Sequence, residues 1–337
     1  MPSEPSRNDP QEYPKPHRDG ERQPSGGGEP RVPGPVEAGL LGELAPRMTS
    51  RVCPLRGGGA LRLLEGGEGP AVVLLHGRGN AASMWLPLLP ELAREHRVLA
   101  VDLPGFGCSP VPGGRVQTAE DGLRFFVEPV EEVLATLAPG PMTLVGHSLG
   151  GLVSLELALR GRVPVERLVL VDTMGLSPEM ARDARLFFRV GPERVARVLG
   201  PKLFGRIAPL PDTPLNRRLA ALGYELMTVP GGRAEASRAF NTLVPLTGGV
   251  FHRAERLGEV KQPTLLYWGE HDTMLPVSLA ESAVKVMPSA RLVREAARLA
   301  SMRRYDEASG LESLPVPAIM HVLHSRLTPP SFIVDIS

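Results

Sequence analysis

Only two cysteines, Cys53 and Cys108, occur in 337 residues. Two are too few for a disulfide framework, and they fit a reducing compartment. Neither sign of charge is in excess: 38 basic residues face 37 acidic ones, for a net of +1. That balance gives no sign of a nucleic-acid partner or an anionic membrane. No apolar run reaches the ~20 residues of a membrane span. The first residues lack a basic stretch followed by an apolar core, so no secretory signal is read there, and the cytoplasm is the expected location. No CxxC or HExxH spacing is present, and neither a metal nor an organic cofactor is expected. No internal repeat is visible.

Glycine and proline are abundant, with 37 and 36 copies. Residues 1 to about 45 are rich in both and in charge, with almost no aliphatic periodicity. Such a segment buries too little to offset its ordering entropy, so 1–45 reads as a disordered leader. From Ala71 onward, strand and helix patterns alternate. Ala71–Leu75 is a continuous apolar run, Arg97–Asp102, Met142–Val145, Arg167–Asp172 and Thr264–Trp268 read as further strands with apolar centres, and Arg291–Arg294 as a short last strand. Runs of this kind suit strands buried on both faces of a parallel sheet. Ser83–Glu95, Thr118–Leu137 and about Ser278–Val286 read as helices between them. Ala60–Leu64 fits an antiparallel edge strand. The predicted class is α/β, a mostly parallel sheet with helices on both faces.

One interval breaks the rhythm. Residues 175–260 carry helical periods, as in Ala184–Val190 and Leu215–Met227, but no strong strand. This is too long for a crossover and predicts a helical cap over the carboxyl edge of the sheet, where parallel sheets bind ligands. A helical subdomain with no gating role is the plainer alternative. The core is then 46–174 with 261–308. A tail of unlike, Pro- and Ser-rich composition follows at 309–337.

The most informative segment is Met142-Thr-Leu-Val-Gly-His-Ser-Leu-Gly-Gly-Leu-Val153. It reads as strand, sharp turn, helix, with Ser148 inside Gly146-His-Ser-Leu-Gly150. This is the G-x-S-x-G spacing of a nucleophile elbow: a strained turn lifts the hydroxyl clear, and the glycines let strand and helix approach. The bland alternative makes Ser148 a helix N-cap.

Four motifs in order resemble the α/β-hydrolase fold superfamily, in its single-domain branch with a helical cap. They are His76-Gly-Arg-Gly79, Asp102-Leu-Pro-Gly-Phe-Gly-Cys-Ser109, the elbow, and Gly269-Glu-His-Asp-Thr-Met-Leu-Pro276. The resemblance covers about residues 50 to 290. It implies Ser148 as nucleophile and Asp272 as the acid that orients a histidine. It implies an oxyanion hole of two backbone N–H groups, those of Leu149 and Arg78. The Arg78 side chain is then either solvated or ion-paired, or set to favour an acidic substrate group. Asp272 could instead only cap the following helix, and Asp172 is an alternative acid position. The Asp102 turn reads as architecture. A serine at the elbow argues against dehalogenase and epoxide hydrolase chemistry, which uses aspartate there.

The pattern fails at the base. Family members carry a histidine in the loop after the last strand, but here that loop reads Glu295-Ala-Ala-Arg-Leu-Ala-Ser-Met302. A reading-frame change near Glu295 would explain both the lost histidine and the odd tail. His147 and His271 adjoin Ser148 and Asp272 and point away from them. His76 lies in the oxyanion loop, His252 late in the inserted segment, His17 in the leader, and His96 before a strand at the sheet's amino edge, far from the site. His321 and His324, at i and i+3 in the tail, remain the candidate bases. The expected activity is hydrolysis of a small ester, thioester or related acyl compound, impaired if no base is supplied. The alternatives are a non-catalytic binding protein, or an acyl transferase or C–C hydrolase on the same frame. The oligomeric state is left open.

Overall fold

The computed structural model describes residues 29–112, 115–207, 213–228 and 233–295. Residues 1–28, most of the loop that should hold the family histidine, and the tail with His321 and His324 lie outside the described residues.

Eight strands form one sheet: β1 (Thr49–Pro54), β2 (Ala60–Gly66), β3 (Ala71–Leu75), β4 (Arg97–Val101), β5 (Met142–His147), β6 (Val165–Val171), β7 (Thr264–Gly269) and β8 (Ala290–Glu295). Their spatial order is β1-β2-β4-β3-β5-β6-β7-β8. The β1–β2 and β2–β4 pairs are antiparallel and every other pair is parallel. The apolar runs occupy the middle because both their faces are covered. Val73, Leu75, Leu99, Val101 and Leu144 turn to one core, while Val72, Leu74, Val98, Ala100 and Val145 turn to the other.

Three expectations need correction. Ala60–Leu64 is antiparallel but is not the edge, because β1 lies outside it. The single helix expected at Ser83–Glu95 is a 3-10 turn at Ala82–Trp85 and a short α2 (Leu89–Leu92). Pro87 and Pro90 lack the N–H that a continuous helix needs there. The leader was expected to run to residue 45, yet Pro35–Leu44 forms helix α1 with Leu40 fully buried.

A polar interaction fixes α1. Glu37 Oε1 accepts from the Arg62 guanidinium at 2.9 Å, and Asp102 Oδ2 accepts from the same nitrogen at 3.1 Å, with all three side chains at 2% exposure or less. Arg31 adds bonds from its N–H and guanidinium to the carbonyls of Cys108 and Ser109.

Helix α3 (Ala119–Leu137) starts at a capping box of Thr118 and Asp121. This satisfies N–H groups that helix starts leave free. Helix α4 (Leu149–Arg160) follows β5, and α9 (Ser278–Val284) precedes β8. Between β6 and β7 lie α5 (Arg182–Val190), α6 (Pro192–Ile207), α7 (Pro214–Thr228) and α8 (Arg233–Leu243). All four lie in the interval expected to be helical, and α5 and α7 cover the two segments named for their period. Within α6 the chain kinks at Gly200, with φ 70°, ahead of Pro201, and helix resumes. Among the described residues no helix is long and apolar enough to cross a membrane.

Candidate active site

Ser148 stands between β5 and α4 at φ 51°, ψ −112°. A non-glycine residue at positive φ costs on the order of 1–3 kcal/mol and persists only where its surroundings over-determine it. They do so here. The Ser148 N–H donates to the Val171 carbonyl at 3.0 Å. Its own carbonyl accepts from Gly151, Leu152 and Met174 N–H. A Cβ on Gly146 would strike the Gly150 carbonyl oxygen, and one on Gly150 would strike that of Leu75. Glycine at both positions is therefore what lets strand and helix meet. Ser148 occupies the N-cap position, but its hydroxyl makes no capping bond. The bland reading thus gives no use for the hydroxyl. Leu149 opens α4, and its N–H is one of those a helix start leaves free.

The loop after β3 lies alongside. A Cβ on Gly77 would sit 3.2 Å from Ser148 Cβ and 2.7 Å from His147 Nδ1, so only glycine brings the backbone this close. His76 is held at both nitrogens. Nε2 accepts from Leu103 N–H at 2.9 Å, which leaves Nδ1 protonated and donating to the Gly77 carbonyl at 2.7 Å. That imidazole is structural. Burial, aided by His76, pushes His147 down to about 4, and its buried Nδ1 has no hydrogen-bond partner. A group with so low a pKa is a poor general base at neutral pH. His252 Nδ1 accepts from Ala254 N–H and faces Glu255 at 3.6 Å.

The Arg78 guanidinium is ion-paired. It donates to Glu193 of α6 at 3.2 Å and to the Ser237 hydroxyl of α8 at 3.2 Å. It also lies 5.5 Å from the Phe188 ring and 5.2 Å from that of Phe240. With 3% of its side chain exposed, it pins the loop after β3 to three inserted helices. Burial lowers its pKa, against the pull of Glu193. Its Nε is buried with no hydrogen-bond partner.

Two acids stand on the same sheet edge. Asp172 follows β6 directly, at φ 40°, and its carboxylate accepts from Gly269 N–H at 2.8 Å. Its N–H donates to Tyr267 of β7. Burial raises it to about 7, Gly269 opposes that, and the charge of Asp272 adds to it. Asp272 follows β7, with Oδ1 accepting from Met274 at 2.7 Å and Leu275 at 3.0 Å. Burial raises its pKa too, against those two N–H groups. It closes its own turn and does not cap α9, whose N-cap is Val277. Since β6 lies between β5 and β7, Ser148 and Asp272 end parallel strands about 10 Å apart. Asp102 accepts from Ala82 and Cys108 N–H and from Arg62, so it is architectural.

The sequence reading missed Glu37 and the partners of Arg78. An arginine flanked by leucines in Leu61-Arg62-Leu63 was a usable signal for the first, since a strand with no wet face must neutralise it internally. A family model for the α/β hydrolase fold matches residues 70–242. The chain is 31% identical over 232 residues to a 2-hydroxy-6-oxo-6-(2'-aminophenyl)hexa-2,4-dienoic acid hydrolase of Metapseudomonas resinovorans, covering 66% of this chain and 75% of that one. It is 44% identical over 118 residues to a pimeloyl-(acyl-carrier protein) methyl ester esterase of Aeromonas hydrophila, covering 35% and 42%. Carboxylesterase CesB of Bacillus subtilis superposes with a TM-score of 0.63 at 22% identity, covering 86% and 96%. The match over half the chain, together with the strand order, places this protein in the α/β hydrolase fold family.

Proposed function

We propose that this protein is a serine hydrolase of small carboxylic esters, thioesters or related acyl compounds, with Ser148 as nucleophile. The observation that carries the reading is the strained, uncapped Ser148 at the β5–α4 turn with the Gly77 backbone against it. Ser148 Oγ attacks the acyl carbon, and its proton passes to a base. The oxyanion is held by the N–H groups of Leu149 and Arg78. The leaving group departs with that proton, and water then cleaves the acyl-enzyme to return the serine. Asp272 is the acid assigned to orient the base.

The base is the weak point. His76 is committed to Leu103 and Gly77, and His147 titrates too low. His321 and His324 are the remaining candidates. Without one of them the enzyme is slow, because the oxyanion donors alone leave only residual catalysis. A second reading, C–C bond hydrolysis, draws support from the relative named as a hydrolase of a 2-hydroxy-6-oxo-dienoic acid.

The test is labelling by a fluorophosphonate with p-nitrophenyl ester turnover in parallel. Slow labelling that vanishes in Ser148→Ala is expected, with weak turnover. Rapid turnover lost in His321→Ala or His324→Ala means the tail supplies the base. No labelling at all leaves a binding protein on a hydrolase frame.

A further inference from the structure

The balanced charge of the whole chain hides a local imbalance. Helices α5 and α6, Arg182–Ile207, hold seven basic residues and two acidic ones, a net of +5 in a chain whose total is +1. One of the two acids, Glu193, is occupied by the buried Arg78. Five of the ten exposed large apolar side chains among the described residues lie on these same two helices: Leu186, Phe187, Val190, Val198 and Leu203. Leu186 is 58% exposed and Val198 87%. Exposed cations alternate with them at Arg182, Arg189, Arg194, Arg197 and Lys202. The spacing is helical. Arg182, Leu186, Arg189 and Val190 fall on one stripe of α5, and Arg194, Arg197 and Val198 on one stripe of α6.

We infer that the outer face of α5 and α6 docks on an anionic lipid bilayer, with Leu186, Phe187, Val190 and Val198 entering the interface and the arginines meeting the headgroups. Several observations favour that occupant over an acidic protein. The apolar side chains stand exposed among cations. Two clefts of about 290 and 280 Å³ lie elsewhere, around Arg115 and Phe125. Interleaved leucine, phenylalanine and arginine on short helices is the composition that lies in a membrane interface. Anionic lipid attracts such cations by about 1 kcal/mol each near the surface. The inner side of the same helices, at Ala184, Phe188, Glu193 and Ala196, is packed against the fold. Docking therefore needs no unfolding. This surface is independent of the chemistry assigned to Ser148.

The experiment is co-sedimentation of the full chain with two kinds of vesicle, phosphatidylcholine alone and phosphatidylcholine with about a third phosphatidylserine. The expected result is binding to the second kind only, weakened by raised salt. Arg189→Gln and Arg194→Gln each reduce partitioning about fivefold. Leu186→Ser with Phe187→Ser reduces it on the order of tenfold or more at unchanged melting temperature. Equal binding to both vesicles, or none, overturns the inference. So does a loss with the arginine variants and none with the serine variants, which would mean surface attraction without insertion. Self-association of the wild type, abolished by Phe187→Ser and without vesicle binding, would assign the face to a second copy. Binding to an acidic protein with none to vesicles would assign it to that class.

Discussion

Arg62 and Arg78 are both buried, but they are held in different ways. Arg62 sits between two buried carboxylates, Glu37 and Asp102, on the β1 side of the sheet. Those two charges outweigh its burial and raise its pKa. Arg78 has one carboxylate, Glu193, at the rim of the inserted helices, and two aromatic faces. There burial wins and its pKa falls. The first cluster joins elements that cannot move apart without stranding charge, since α1, β2 and the turn after β4 all contribute. The second joins the loop beside Ser148 to the inserted helices α5, α6 and α8. One is an anchor and the other a latch.

The comparison breaks first at Arg62. Arg62→Leu strands two carboxylates, and a loss of about 3–5 kcal/mol is expected in urea unfolding. Arg78→Met leaves only Glu193, which can rotate to water, so about 1–2 kcal/mol is expected. Equal costs would erase the distinction. Truncation tests the same anchor. Deleting residues 1–45 removes Glu37 and Leu40 and should cost about 3 kcal/mol or more. Deleting only 1–28 should leave the melting temperature nearly unchanged. A large drop from the shorter deletion would give those residues a structural part that their composition does not suggest.

A third measurement concerns a buried carboxylate with no guanidinium on it, Asp172, just after β6. Asp172 is raised to about 7 from an ordinary 3.8. Its folded form binds the proton more tightly than its unfolded form. Stability from this group is therefore full at low pH and is lost as pH rises from about 4 through 7. Asp172→Asn keeps the oxygen that accepts from Gly269 and removes the charge. It should stabilise more at pH 8 than at pH 5, by on the order of 2 kcal/mol. The same gain at both pH values would mean that the carboxylate is not strained by burial. The smallest effect is the sharpest probe of the latch. Glu193→Gln should speed amide exchange at Gly77–Asn80 about tenfold, or ~1.4 kcal/mol of local opening, with little change in global unfolding. Unchanged exchange would detach the inserted helices from that loop.

Much of the site was legible because its signals are local. The elbow needs small residues at Gly146 and Gly150 and a serine between them, and these lie within five consecutive positions. The parallel strands declared themselves because a strand covered on both faces must be apolar throughout, as Val72–Leu75 is. Helix α1 was not legible. Its stability comes from a partner 25 residues away in β2, and its own Pro- and Gly-rich surroundings argue for disorder. The kink at Gly200 inside α6 was not legible either, because a glycine before a proline ends a helix by propensity but kinks one when both halves pack.

The sequence by itself determined the succession of parallel strands from Ala71 onward, the sharp turn at Ser148 and the placement of Asp272 after a later strand. Each follows from the period of apolar side chains or from the backbone freedom of a few residues. Only the tertiary structure decided which charges are buried together. It set Glu37 and Asp102 on Arg62, Glu193 on Arg78, and Asp172 beside Gly269. Pairing between distant residues depends on how layers stack, and a linear pattern carries no term for that. The same holds for the outer face of α5 and α6. Its charges were in the sequence from the start, but only folding showed which of them face water.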